Sequence, residues 1–163
     1  LKRDSTAAGL ANVDVNNVIR MVERIVHGDA NLHKVTVHLD LSSDVRPVKG
    51  DSVQLQQVIL NLMLNAFSAM SGTGLDGARR LVVRTNSVDE SNMLVEVQDS
   101  GPGIAADKLE SIFDPFITSK TEGLGMGLSI CRSIIERHGG KISAANNPDR
   151  GAKFSITLPV SRE

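Results

Sequence analysis

Residues 51–70 read DSVQLQQVILNLMLNAFSAM. Leu55, Val58, Ile59, Leu60, Leu62, Met63, Leu64 and Phe67 point in nearly every direction around a helix. A helix that is apolar nearly all round is a buried one. One stripe breaks the pattern: Gln57, Asn61, Asn65 and Ser68 follow at spacings of 4, 4 and 3 residues and so share a face. Asn is a poor helix former, and a buried amide needs partners. The stripe therefore either bonds other protein groups or lines a cavity. In a cavity, an amide oxygen is a hard, neutral donor that suits Mg²⁺, an ion that keeps several waters and takes phosphate oxygens from a nucleotide.

Working outward, Asp51 or Ser52 caps this helix. Upstream, Asp14 caps a helix expected to run to about Asn31, with Val15, Val18, Ile19, Val22, Ile25 and Val26 at helical spacing. Val35, Val37 and Leu39 alternate as a strand, and a short strand is expected around Val45–Val48. Residues 1–12 are small, polar and aperiodic and read as a linker. Downstream, SGTGLDG is a loop, and Leu81–Thr85 and Met93–Asp99 read as strands joined by a polar turn near Asp89–Asn92. Gly101 to Gly127 is rich in Gly and Pro, with a short helix expected at Asp107–Ser111. A third long helix runs from Leu128 to His138, stopped by Gly139 and Gly140. Two strands, Lys141–Ala145 and Ala152–Leu158, close the chain. Strands in adjacent pairs favour an α+β fold, a two-layer α/β sandwich with one mixed sheet of about five strands covered on one face by three helices. A doubly wound parallel sheet fits less well.

Composition narrows the function. The 163 residues carry Lys+Arg 18 against Asp+Glu 19, a net charge of -1. That balance gives no general attraction to nucleic acid or to an anionic membrane. With aromatic content at 2%, base-stacking platforms are not expected and the core must be aliphatic. The single cysteine, Cys131, excludes an internal disulfide and a multi-cysteine zinc site. It falls on the apolar side of its helix and reads as core. No apolar run reaches the ~18 residues of a membrane span. His27, His33, His38 and His138 are scattered and read as structural or exposed.

Two further motifs carry chemistry. In MLVEVQDSGPG, Met93, Val95, Val97 and Asp99 share one strand face, which aims Asp99 at the core side. Buried Asp is rare unless it is paired or bonded to a donor. Gly101 and Gly103 follow and let a ligand approach the backbone. A carboxylate on the floor of such a pocket accepts from an exocyclic amino group, such as that of adenine. The bland alternative is a surface turn with an exposed Asp. GPGIAA also fits a G-x-G-x-x-A string, but no βαβ order surrounds it and Pro102 interrupts. The second motif is SKTEGLGMGLSICRSI, where Gly123, Gly125 and Gly127 stand just before a helix. Free N–H groups and the positive dipole end there suit phosphate. Thr118, Ser119 and Lys120 lie upstream as candidate phosphate contacts. The alternatives are flexible linkage for the glycines and a solvated charge for Lys120.

The order of these motifs resembles the ATP-binding domain of sensor histidine kinases, in the superfamily that includes DNA gyrase, MutL and the ninety-kilodalton heat-shock chaperones. QVILNLMLNAFSAM is similar to its N box, DSGPGI to its G1 box, IFDPFITSK to its F box and GLGMGLSICRSIIERHGGKI to its G2 box. The likeness runs over about residues 13–160, with NAFSAM closest to the nitrogen- and oxygen-sensing type. It implies ATP and Mg²⁺ as cofactors and a Bergerat-type sandwich. Asn65 matches the family's Mg²⁺ ligand and Asp99 its reader of the adenine amino group. Gly101, Gly103 and Ile104 match the adenine pocket. Phe113 and Phe116 match the base of an ATP lid spanning Thr118–Gly127. Leu128 follows the lid, and Asn61, Asn65 and Lys120 are the candidate catalytic set. The likeness further implies a cytoplasmic catalytic domain over 13–163, joined by residues 1–12 to an upstream dimerisation domain whose helix bears the phosphoacceptor His. A response regulator would be an indirect partner, no nucleic acid or membrane would be contacted, and the isolated chain would be monomeric.

Two departures stand out. Hydrolysing relatives carry a Glu four residues before the Mg²⁺ Asn, whereas this chain has Asn61, which cannot act as a general base. Several relatives carry Thr after the late Gly, whereas here the pair is Gly151-Ala152. The rivals are a gyrase- or MutL-like hydrolase and a non-catalytic nucleotide-binding module.

Overall fold

The computed structural model describes residues 10–71, 77–115 and 124–162. In chain order the elements are β1 (Ala11–Val13), α1 (Val15–Ile25), α2 (His27–Leu32), β2 (Val35–Leu41), β3 (Val48–Gly50), α3 (Ser52–Met70), β4 (Arg79–Ser87), β5 (Asn92–Asp99), α4 (Leu124–Arg137), β6 (Lys141–Asn146) and β7 (Ala152–Pro159). Five strands form one sheet in the order β2-β4-β5-β7-β6. The β2–β4 pair is parallel and the others are antiparallel. This is the mixed sheet of the α+β sandwich expected from the sequence.

One face of the sheet is apolar. Leu81, Val83, Met93, Val95, Val97, Ile156 and Leu158 are buried there, under α1, α3 and α4. The other face carries a polar ladder: Arg84 contacts Asp40 and Gln98, and Lys153 contacts Glu96. Alternation with period two thus separates core from solvent. Within the helical layer α3 is central, packing against both α1 and α4. Its Leu62, Met63, Phe67 and Met70 are fully buried, each stabilising by ~1.5–3 kcal/mol. Asp51 is its cap: Oδ1 accepts from Val53 N at 3.0 Å and Gln54 N at 3.2 Å.

Several elements depart from the expectation. The first helix is two helices. The break falls at Val26, where φ is -95° and ψ 8°, within a stretch of β-branched residues and glycine that propagates a helix poorly. The kink keeps both Val26 and Ala30 buried. Ala11 and Asn12, assigned above to the linker, pair with Gly50 and Lys49 in a two-stranded sheet. Residues 1–9 of that linker lie outside the described residues. The helix expected at Asp107–Ser111 is a run of turns, with Lys108 N bonding Ala105 O and Ser111 N bonding Lys108 O. Helix α4 begins at Leu124, one turn before the expected Leu128. Gly125 and Gly127 therefore stand inside its first turn and not ahead of it. The low helix propensity of Gly is overridden there because α4 packs on α3. At the other end Gly139, with φ +80°, stops the helix as expected.

Two polar side chains tie elements of the core together. Buried Asn16 on α1 donates to Ser42 O at 2.8 Å and accepts from Thr85 Oγ1 at 2.8 Å. His138, beyond the end of α4, bonds Ile134 O through Nδ1 and accepts from Asp51 N through Nε2 at 3.1 Å. It thereby joins the end of α4 to the start of α3, a structural role.

Candidate functional site

Alternation along β5 turns Asp99 inward at the strand end, where it is buried. Its Oδ1 accepts from Gly101 N at 2.8 Å and from Ala152 N at 3.1 Å, which leaves Oδ2 outside both bonds. Burial pushes the carboxyl above its ordinary value, and the two backbone donors pull the other way. The surface-turn reading of Asp99 is thus overturned: the carboxylate is a buried, oriented group.

The loop after Asp99 is closely surrounded at one glycine and admits no side chain without strain at a second. A Cβ on Gly101 would lie 3.3 Å from Met70 Cγ and 3.5 Å from Ala69 C. Gly103 has φ +87°, and a Cβ there would lie 2.8 Å from Asn146 Oδ1. From the far side Gly151, with φ +95°, places its backbone so close to Asp99 that a Cβ would meet Asp99 O at 1.9 Å. Ile104 packs half-buried on the core.

The helix stripe runs between this loop and the start of α4. Asn61 lies beside Gly127, whose Cβ would stand 3.8 Å from Asn61 Nδ2. Two turns later, Ala69 lies beside Gly101. Asn65 sits between them on the same face, half-buried and, among the described residues, without a hydrogen-bond partner. Of the two readings of the stripe, bonded or cavity-lining, the partnerless amide of Asn65 favours the second. Asn61 differs, since its Nδ2 donates to Cys131 Sγ at 3.7 Å. Cys131 is fully buried and also bonds Val58 O. Burial pushes its thiol up to about 11, partly offset by the Asn61 bond. It is a core residue, as its place in the sequence indicated.

The first turn of α4, which begins at Leu124, offers the unbonded N–H groups that every helix start has, Gly125 among them, while Gly127 stands where the intrahelical bonds begin. Phe113 and Leu128 are buried in the core, Phe113 edge-on to Phe154 at 6.0 Å between ring centroids. Phe116, Thr118, Ser119, Lys120 and Gly123 lie outside the described residues. So Gly101, next to Asp99, lies against the Met70 end of α3, and Gly127 at the start of α4 lies beside Asn61 on the same helix, with Asn65 between them.

Sequence reading missed the turn between β6 and β7. Asn146 bonds both backbone groups of Ile104 at 2.8 Å. Asn147 Nδ2 donates to Asp99 O at 3.4 Å, and Arg150 Nε donates to Ser100 O at 3.0 Å. The only signal was NNPDRG, which any surface turn could show.

The sequence profile of histidine kinase-, DNA gyrase B-, and HSP90-like ATPases matches residues 50–162. The sensor histidine kinase ZraS of Escherichia coli O157:H7 is 37% identical over 156 residues, 96% of this chain and 33% of that protein. The chain therefore spans about a third of such a relative. Among solved structures, the catalytic domain of histidine kinase ThkA superposes with a TM-score of 0.79 at 28% identity, over 94% of this chain and 99% of that one. Full-length ShkA, solved in complex with AMPPNP, superposes with a TM-score of 0.79 at 27% identity, over 92% of this chain and 31% of that one.

Proposed function

From the premise that this chain belongs to the histidine kinase-, DNA gyrase B- and HSP90-like ATPase family, we propose that it is the catalytic domain of a sensor histidine kinase. It binds Mg-ATP and passes the γ-phosphate to a His on a separate dimerisation helix. From there the phosphoryl group goes on to a response regulator. The observation that carries this is the Asn61–Asn65 stripe, which has the oriented Asp99 loop at one end and the N-terminus of α4 at the other.

Each residue has a part in this reading. Asp99 accepts from the amino group of adenine. Gly101 and Gly103 allow the base close to the backbone, with Ile104 against it. Phosphates meet the free N–H groups at the start of α4, and Thr118, Ser119, Lys120 and Gly123 are the further candidate phosphate contacts. Phe113, packed on Phe154, and Leu128, buried in the core, flank this stretch in sequence, and Phe116 belongs with them as a candidate residue.

The donor chemistry fits Mg²⁺. Asn65 offers a half-buried amide without a partner among the described residues, with Asn61 one turn away, and neutral oxygens leave the ion free to take phosphate. Bound with the nucleotide, Mg²⁺ supplies charge neutralisation on the transferred group. Asn61 cannot take a proton from water, so the position where hydrolysing relatives carry Glu offers no general base here.

Incubation with γ-labelled ATP tests the proposal. The chain alone should stay unlabelled and release phosphate slowly. A supplied pair of His-bearing dimerisation helices should become labelled on histidine. Label held by the chain itself, or rapid phosphate release without the helices, would contradict it.

A further inference from the structure

The base side of the site is built by two segments distant in sequence. The loop 99–104 leaves β5, and the turn Asn146–Gly151 joins β6 to β7 and closes over that loop. Asn146 meets it most completely. Its Oδ1 accepts from Ile104 N at 2.8 Å and its Nδ2 donates to Ile104 O at 2.8 Å. An amide side chain here plays the part of a neighbouring peptide group, offering one acceptor and one donor to a single residue. Gly103 sits directly on it, since a Cβ there would lie 2.8 Å from Asn146 Oδ1.

The side chain of Asn146 is exposed. Its two bonds therefore add little to global stability, because water competes for both. They do fix one thing: the conformation of Gly103 and Ile104 relative to Asp99. The same turn grips the rest of the loop through Asn147 on Asp99 O, Arg150 on Ser100 O and Ala152 N on Asp99 Oδ1.

We infer that Asn146 is a positioning residue for base recognition, holding the Gly103–Ile104 backbone in the one arrangement that places a bound purine against the Asp99 carboxylate. This rests on the reading of Asp99 as acceptor for the adenine amino group.

The test compares ATP with inosine triphosphate, which carries a carbonyl in place of that amino group. Calorimetry with Mg²⁺ gives both affinities for the unaltered chain, for Asn146→Ala and for Asn146→Asp. The unaltered chain should prefer ATP by at least about tenfold, the worth of one oriented hydrogen bond. Asn146→Ala should narrow that preference at least about threefold. Asn146→Asp keeps the acceptor and loses the donor, so it should narrow the preference less. Its added charge repels both triphosphates alike and cancels in the ratio. If Asn146→Ala weakens both nucleotides equally, or neither, the inference is overturned while the reading of Asp99 stands. If the unaltered chain does not discriminate, the reading of Asp99 falls and the inference falls with it. Should Asn146→Ala not fold, an unchanged ratio in Asn146→Asp overturns the inference alone.

Discussion

The end of β5 and the middle of α3 both carry polar groups, yet they are held very differently. Around Asp99 the backbone is held from several sides. One carboxylate oxygen takes two backbone N–H groups, and the following loop is gripped by Asn146, Asn147 and Arg150. On α3, Asn65 has no partner among the described residues, and Asn61 is tied only through its nitrogen to a weak sulfur acceptor. On the proposed reading, the difference separates recognition from chemistry. A base is rigid and is read by a rigid, prebuilt acceptor. A metal and its phosphates bring their own ligands, so the protein needs only free oxygens at the right height on a buried helix.

If this contrast is right, substitutions on the two sides fail in different ways. The largest effect belongs to Gly151→Ala. Its φ of +95° and the collision with Asp99 O should cost at least about 3 kcal/mol. Urea unfolding measures it, and nucleotide binding should go as well. Stability within 1 kcal/mol of the unaltered chain would show that the turn can give way, and the base side would not be rigid.

Next is Asp99→Asn. The amide still accepts both N–H bonds but turns a donor toward the adenine amino group, so ATP affinity should fall at least about a hundredfold. Stability should move the other way. Burial raises the Asp99 carboxyl above its ordinary 3.8, so Asp99 favours the fold fully below that value, and this contribution is lost as pH rises through the raised value. The Asn variant should therefore be as stable as the unaltered chain in acid and more stable at pH 7. Melting curves at both ends of the range check this, and a variant less stable at pH 7 would contradict the burial argument.

Asn65→Ala should do less. Thermal stability should change by less than about 0.5 kcal/mol, since no bond to the described residues is lost, while the gain in ATP affinity on adding Mg²⁺ should disappear. Calorimetry with and without the ion decides, and an unchanged Mg²⁺ effect removes Asn65 from the role. The smallest effect is at Cys131. With its thiol pushed up to about 11 and no exposure, it should resist iodoacetamide in the folded chain and react only in denaturant. Ready alkylation under native conditions would mean that α4 opens from α3.

Most of the long elements were legible because their signals are local. The apolar sweep of α3, the alternation of β5 and the Gly139–Gly140 stop need no knowledge of distant residues. The same holds for Asp99, whose inward direction follows from the parity of its strand. What stayed hidden depends on partners far along the chain. β1 is three residues long and exists because β3 pairs with it. The early start of α4 comes from packing on α3, which overrides the low helix propensity of Gly125 and Gly127. Asn146 and Asn147 read as turn residues whichever loop they hold, and only the pairing of β7 with β5 brings them to Asp99.

One Mg-ATP titration followed by amide NMR tests the account most directly. The backbone signals of Gly101 and Ala152 and the side-chain amides of Asn61 and Asn65 should shift together on a single binding curve. Shifts confined to one group, or two curves with separate midpoints, would contradict a site shared by the helix stripe and the strand-end carboxylate.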